Sequence, residues 1–92
     1  MRLITLDFKD IKNEKELHQF LKDKLELPEY YGHNLDALWD SLTEIRDYTL
    51  IELKNIDSLY DNLGSYAAKF LGVFDDMTQE NTYFWLKLLM ER

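Results

Sequence analysis

Acidic side chains recur at four-residue intervals within and just beyond the stretch LPEYYGHNLDALWDSL, residues 27–42. On a helix, Asp36, Asp40 and Glu44 would share one face, where like charges at this spacing repel each other. Aromatic residues flank them at Tyr30, Tyr31 and Trp39. Carboxylates beside tyrosine and tryptophan have the composition of a protein-binding hot spot. The plainer alternatives are a solvated acidic face and aromatic side chains that simply pack in the core.

A catalytic role for these carboxylates has weaker support. Two aspartates one turn apart on a convex helix lack the cleft in which paired carboxylates cleave glycosidic bonds. A divalent cation at His33, Asp36 and Asp40 is conceivable, yet hard cations need several converging oxygen ligands and no calcium-loop pattern occurs. Of the two histidines, His18 is predicted on the outward side of the first helix and His33 in a loop. We therefore predict no enzyme activity, no cofactor and no metal site.

Charge and composition restrict the partners and the location. The chain of 92 residues has 18 acidic and 11 basic side chains, a formal charge of -7. Direct nucleic-acid binding is therefore not expected, because attraction to phosphates supplies most non-specific affinity, and basic partners are favoured. There is no Cys, which excludes disulfides and thiolate chemistry. Lacking a signal-peptide pattern or a membrane-length apolar run, the chain is predicted to be cytoplasmic, away from membranes.

Hydrophobic periodicity predicts seven elements within one domain, residues 1–92. A parallel sheet is favoured because the three strands are separated by pairs of helices, which can serve as the crossovers that parallel strands need. The predicted strands lie at about 2–8, 48–53 and 82–90, with Met90 on the apolar face of the last. The first two helices are predicted at about 14–25 and 35–46, capped by Asn13 and Asn34. Two further helices are predicted to be capped by Ser58 and Ser65, and the first of these stops near Gly64.

The second predicted helix has two distinct faces. Its apolar face comprises Leu35, Leu38, Leu42 and Ile45, and its acidic face comprises Asp36, Asp40, Glu44 and Asp47. Trp39 lies at the border between the two faces. This helix therefore has a core side and an acidic side, with a large aromatic residue at the rim.

The stretch LPEYYGHNLDALWDSL closely resembles the central motif of the barstar family, intracellular inhibitors of barnase-like ribonucleases. Looser similarity covers nearly the whole chain, including YTLIEL and KFLGVFDDM. The resemblance implies an α/β fold with a three-stranded parallel sheet flanked by helices. It also implies a monomer that blocks the active site of a small basic extracellular ribonuclease, or a related toxin, by acidic mimicry of RNA phosphates. The alternative is a regulatory or immunity module of the same fold that binds another basic protein.

Residue by residue, the resemblance implies a binding surface on the second helix and the preceding loop. Asp40 matches the aspartate that enters the phosphate pocket of the enzyme, and Asp36 matches a second acidic contact. Tyr30 matches a tyrosine that packs on the catalytic histidine of the enzyme. The full predicted partner-binding set is Tyr30, Asn34, Asp36, Trp39, Asp40, Glu44 and Asp76, of which Asp76 matches an outlying glutamate of the family.

The chain departs from the family pattern around this surface. Glu44 and Ile45 stand where the pattern has glycine and tryptophan, so an aromatic anchor is lost and a charge is gained. His33 stands where the pattern has an acidic residue. The central Asp40 and Tyr30 are retained, so we expect the same mode of binding, and the altered periphery leaves open whether the cognate enzyme is barnase or a different ribonuclease or toxin.

Overall fold

The computed structural model describes residues 1–89 and contains seven regular elements in the predicted order. The strands are β1 (Arg2–Asp7), β2 (Thr49–Lys54) and β3 (Phe84–Leu88), and the helices are α1 (Glu14–Lys24), α2 (Leu35–Thr43), α3 (Ile56–Leu63) and α4 (Ser65–Glu80). The predicted α/β class with a three-stranded parallel sheet is confirmed. Met90, assigned to the last strand from the sequence, lies outside the described residues.

The sheet has the strand order β1-β2-β3, with every pair parallel. Side chains alternate between its faces because successive residues of a strand point in opposite directions. One face carries buried Leu6, Ile51 and Phe84 and packs into the hydrophobic core. The other face carries Leu3 and Trp85, which are 62% and 58% exposed. The strands therefore contribute one apolar layer to the core and leave the opposite face largely open.

Phenylalanine rings connect the sheet to α4. The Phe70 ring lies 5.7 Å from the Phe8 ring and 4.7 Å from the Phe74 ring, and Phe74 lies 5.4 Å from Phe84. All four side chains are at most 2% exposed. Tilted and edge-on contacts of this kind add about 0.5–1.5 kcal/mol per pair beyond area burial. This row of rings ties α4, the longest helix, to β3 and to the residue that follows β1.

The second helix is shorter than the sequence indicates, ending at Thr43 and not near residue 46. Its last turn tightens, since the Glu44 N–H donates to the Ser41 carbonyl and the Ile45 N–H to the Leu42 carbonyl. Such i→i−3 bonds are a common way for a helix to end. Asp47 therefore lies beyond the helix, and the acidic face is limited to three carboxylates.

The predicted serine caps of the third and fourth helices are wrong. Ser58 lies inside α3, which starts after Asn55, a residue in the left-handed conformation with φ 61°. Ser65 is the first residue of α4, and the cap position is occupied by Gly64, which has φ 58° and no side chain to accept a hydrogen bond. Gly64 is suited to this position because a backbone with positive φ is costly for residues that carry a Cβ.

Candidate protein-binding surface

The loop before α2 is shaped by two small hydrogen-bonded turns. Asn34 caps the helix, its Oδ1 accepting from the Ala37 N–H at 2.8 Å, while its Nδ2 donates to the Gly32 carbonyl at 3.2 Å. A Cβ at Gly32 would approach the Ala37 Cβ to 3.2 Å, so the turn favours glycine. Asn34 was predicted both as a cap and as a partner contact. The structure places it in the capping role and leaves the residue exposed.

The acidic and apolar sides of α2 separate as the sequence pattern indicates. Leu38 and Leu42 are fully buried, whereas Asp36, Asp40 and Glu44 are exposed. Asp36 lies in the first turn, where the free N–H groups of the helix favour a carboxylate. The other two carboxylates lack that compensation. Within residues 1–89 no hydrogen bond or ion pair holds the Asp40 side chain, which leaves its carboxylate available to a partner.

An open groove of about 550 Å³ lies between the loop before α2, the start of β1 and the C-terminal end of α2. Tyr30, Asp40 and Glu44 all line it, so the structure brings three of the seven predicted binding residues to one concave surface. Tyr30 exposes 88% of its surface. A tyrosine so little packed adds almost nothing to the core and is suited to contact another molecule.

The other predicted binding residues lie outside this groove. Trp39 is partly buried against the hydrophobic core, which confirms its position at the border of the helix faces. Asp36 is one turn before Asp40 on the same exposed side of α2. Asp76 is exposed on α4. The predicted set is thus divided between the groove, the remaining exposed face of α2, and a separate helix.

Two arginines at the groove were not singled out from the sequence. Arg2 and Arg46 line the same surface as Asp40 and Glu44. Arg46 donates from Nη1 to the Thr43 carbonyl at 2.6 Å and to the Ile45 carbonyl at 3.0 Å. A basic residue shortly after a helix is a recognised signal for this kind of capping. The groove is therefore of mixed charge, with the cation of Arg46 directed toward the end of α2.

The predicted surface position of His18 is wrong. Its ring is 1% exposed, with Nδ1 2.6 Å from the Tyr31 hydroxyl and Nε2 2.7 Å from the Tyr66 hydroxyl. Tyr31 is itself 5% exposed, so it belongs to the core and not to the aromatic rim. The helical spacing contained the signal, because position 18 lies three residues before Leu21 and seven before Leu25, on the apolar stripe.

Burial changes the acid-base properties of this cluster. It lowers the pKa of His18, because the charged ring would lose hydration, and the nearby charge of His33 lowers that pKa further. Burial raises the pKa of Tyr31, with Tyr66 contributing, and it raises the pKa of Tyr66, with Glu14 contributing. All three shifts stabilise the neutral forms of the side chains.

A cation site at His33, Asp36 and Asp40 finds no support in the geometry. Across residues 1–89 the structure contains no group of three His, Asp or Glu side chains arranged to hold a metal ion. His33 is instead engaged in the loop, where its Nδ1 lies 2.9 Å from the Tyr31 carbonyl.

Among residues 1–89, no helix combines the length and apolarity needed to cross a membrane.

This fold and site define an α/β protein with a parallel three-stranded sheet and an exposed acidic helix. Comparison with protein families matches residues 1–89 to the family described as Barstar (barnase inhibitor). The chain belongs to the barstar family. It is also 48% identical over 81 residues to the Bacillus subtilis (strain 168) protein named "Putative ribonuclease inhibitor YrdF", covering 87% of this chain and 89% of that protein.

Proposed function

We propose that this protein inhibits a small basic ribonuclease of the barnase type by occupying its active site. The carboxylate of Asp40 would take the place of an RNA phosphate in the cationic pocket of the enzyme. The protein would act in the cytoplasm, as a monomer when free and without catalysing a reaction. The observation that carries the proposal is the convergence of Tyr30, Asp40 and Glu44 on one groove in a member of a family of barnase inhibitors.

The environment of Asp40 supports its central role. The side chain is exposed, lies on a helix with a well-formed cap, and has no internal partner among the described residues. A fixed but unpaired carboxylate can enter a cationic pocket without first breaking a bond inside its own protein. Its helix also limits the conformational entropy lost on binding, which favours affinity.

The aromatic residues supply contact area beside the charge. Tyr30 presents its ring on the same groove as Asp40, so a partner that pairs with the carboxylate would also cover the ring. Excluding water in this way strengthens the ion pair. Trp39, partly buried beside Asp40, would support the edge of the contact, and Asp36 and Asp76 would add outlying acidic contacts.

The direct test is inhibition of RNA cleavage by barnase, with wild type compared with Asp40→Ala. Removing one partner of a buried, hydrogen-bonded charge pair costs about 2–5 kcal/mol or more, a generalisation for which the barnase–barstar complex, with coupling energies of about 1.5–7 kcal/mol, is itself a worked example. We therefore expect the inhibition constant to rise by at least about 30-fold. Asp61→Ala is the matched control, since Asp61 is also an exposed helical aspartate, lies outside the groove and should leave inhibition unchanged.

Tyr30→Ala provides a second, independent test. Truncating an exposed tyrosine should not change the stability of the free protein, but it should weaken inhibition by more than tenfold if the ring contacts the enzyme, because hot-spot residues cost about 2 kcal/mol or more on truncation. Equal inhibition by wild type, Asp40→Ala and Tyr30→Ala would refute the proposed surface even if inhibition itself were observed.

A second candidate partner is another basic protein or toxin. The observation that favours it is the altered edge of the groove, where Glu44 and Arg46 stand together on the lining and the family tryptophan is replaced by Ile45. Specificity depends on repulsive as well as attractive groups, so these changes would affect which enzyme fits. Capture of a basic protein without ribonuclease activity from the source cells, lost with Asp40→Ala, would support this alternative.

A further inference from the structure

The buried ring of His18 joins three parts of the molecule. It belongs to α1, and its two nitrogens meet the hydroxyl of Tyr31, in the loop before α2, and the hydroxyl of Tyr66, on α4. These bonds are short, at 2.6 and 2.7 Å, and the ring is 1% exposed. Within the loop of residues 28–34, Tyr31 is the most deeply buried side chain. His18 is therefore the principal polar anchor of the loop.

Tyr31 transmits this anchoring to the proposed binding surface. Its N–H donates to the Pro28 carbonyl at 2.9 Å, and its carbonyl accepts from His33 Nδ1 at 2.9 Å. The neighbouring Tyr30 is exposed on the groove. With its hydroxyl, N–H and carbonyl all held, Tyr31 fixes the course of the chain from residue 28 to the helix cap, and with it the backbone from which the Tyr30 side chain projects.

Both hydrogen bonds of the His18 ring can form without rearrangement of the tyrosine hydroxyls only while the imidazole is neutral. A neutral ring has one N–H donor and one acceptor nitrogen, so one tyrosine hydroxyl accepts and the other donates. Protonation turns both nitrogens into donors, so the hydroxyl that had donated must redirect its hydrogen. Protonation also places a positive charge on a buried ring. The titratable groups around the ring are Tyr31, Tyr66 and His33, whose ring centre is 6.4 Å away, and Glu14 acts on the Tyr66 hydroxyl.

We propose that the neutral ring of His18 positions the loop of residues 28–34 for the partner, and that protonation of this ring loosens the loop and weakens binding. The inference rests on the proposed function, because it assigns the loop to the contact surface. His18 is a positioning residue, since it lies behind Tyr31 and does not reach the groove. Inhibition should then be strongest at neutral and alkaline pH.

The first part of the test uses the free protein. NMR would follow the His18 ring and the protection of the Tyr31 amide from about pH 8 down to the pH at which the ring has taken up its proton. That pH lies below the ordinary range of histidine, because burial lowers the pKa of His18. We expect protection of the Tyr31 amide to fall together with protonation of His18, while the α1 amides stay protected. Loop protection that stays constant while His18 titrates would overturn the proposal. This measurement needs no variant and no partner.

The second part compares variants in binding to barnase. For wild type, the dissociation constant at the acidic end of the His18 titration divided by the one at about pH 8 should exceed the same ratio for His18→Gln by about 5-fold or more, a usual size for coupling between two sites. The titration of barnase cancels because the same enzyme is used throughout. Tyr66→Phe should weaken binding at both pH values, whereas Tyr60→Phe, at an exposed tyrosine of α3, should not. Equal ratios for wild type and His18→Gln would overturn the proposal.

The two parts separate failure of this inference from failure of the proposed function. If barnase is not bound at any pH, the proposed function fails for that enzyme, and the loop measurement still decides whether His18 anchors the loop. If barnase is bound with the same pH dependence in wild type and His18→Gln, the proposed function stands and the positioning role is wrong.

Discussion

The side chain of Asn81 donates from Nδ2 to the carbonyl oxygen of Leu42 at 3.0 Å, across 39 positions of the chain. The same nitrogen lies 3.0 Å from the Ile45 carbonyl, and Asn81 is 6% exposed. One buried amide therefore satisfies two carbonyls at the end of α2 and connects that end to the turn before β3. This connection holds the end of α2 that carries Asp40 and Glu44.

Replacement of Asn81 by alanine should lower the free energy of unfolding by about 1–3 kcal/mol. The Leu42 and Ile45 carbonyls would each lose one donor and keep only the bonds from the Ile45 N–H and from Arg46. The Tyr83 N–H would lose its acceptor, the Asn81 Oδ1. Urea denaturation at neutral pH measures the change. Thr82→Ala, at the adjacent exposed position, should stay within about 0.5 kcal/mol of wild type. An unchanged free energy of unfolding in Asn81→Ala would mean that solvent or a neighbouring group satisfies these carbonyls.

Two glycines, Gly64 at the α3–α4 junction and Gly72 inside α4, offer a paired test of backbone strain. Neither Gly64 nor Gly72 has an atom within 4 Å of a Cβ built on it, but only Gly64 has a positive φ, at 58°. Gly64→Ala should destabilise by about 1–3 kcal/mol through backbone strain. Gly72→Ala, inside α4, should stabilise by about 0.5–1 kcal/mol because alanine loses less entropy in a helix. Thermal unfolding of both variants checks the opposite signs, and a shift in the same direction would contradict the assigned strain.

The fold was predictable from the sequence where local patterns and tertiary packing agree. Alternation in residues 2–8 and helical spacing in α1 and α2 located their elements, and Asn13 and Asn34 cap those helices as predicted. The caps of α3 and α4 were not predictable, because the chain enters α3 through left-handed Asn55 and α4 through Gly64. Backbone conformations with positive φ leave little trace in a hydrophobic pattern, whereas a serine before an apolar run resembles a cap.

The site was predictable where side chains lie on one regular helix, and less so where it depends on contacts distant in sequence. Helical spacing placed Asp36 and Asp40 on the exposed side of α2. It could not show that Tyr30 joins Asp40 and Arg2 at one groove, since that depends on how the loop packs beside β1. The burial of His18 was within reach of the helical spacing, but its two tyrosine partners depend on tertiary packing.

The buried state of His18 should make the free protein less stable in mild acid. Burial and the nearby His33 lower the pKa of His18 below its ordinary 6.5, so the unfolded chain binds the proton more readily than the folded protein. The resulting stability is complete above about pH 6.5 and is lost as the pH falls through the lowered pKa. Urea titrations between about pH 7 and about pH 5, above most carboxylate titration, should show this fall in wild type.

Two histidine variants identify the source of that fall. His18→Gln cannot take up the proton, so its free energy of unfolding should change less over the same pH interval, although it should be lower at neutral pH. His33→Gln keeps the buried ring and should retain most of the dependence, because burial is the larger cause of the shift. A steep fall that persists in His18→Gln would assign the effect to other groups.

Association with a basic ribonuclease should slow as salt is added. The chain carries a formal charge of -7, and electrostatic steering decays as the screening length shortens from about 10 Å at 0.1 M to about 3 Å at 1 M salt. Stopped-flow measurements with barnase should show a falling association rate and a much smaller change in dissociation. Asp76→Ala should reduce the association rate at low salt, and a rate independent of salt would exclude steering.

The acidic face of α2 should lower the stability of the free protein while it serves binding. Asp40 lies four residues from both Asp36 and Glu44, and like charges at this spacing destabilise a helix by about 0.2–0.5 kcal/mol per pair. Asp40→Ala should therefore raise the free energy of unfolding, through relief of repulsion and the higher helix propensity of alanine, while it weakens inhibition. Urea denaturation of the free variants would measure the first effect.

Asp75→Ala separates the two contributions, because Asp75 is an exposed aspartate inside α4 with no charged residue three or four positions away. It should gain only the propensity part, and the additional gain of Asp40→Ala should shrink in about 1 M salt, where repulsion is screened. Equal gains for the two variants at low salt would show that the carboxylates of α2 do not strain the free helix. Their spacing would then need no compensation from a partner, and the affinity lost in Asp40→Ala would reflect the missing ion pair alone.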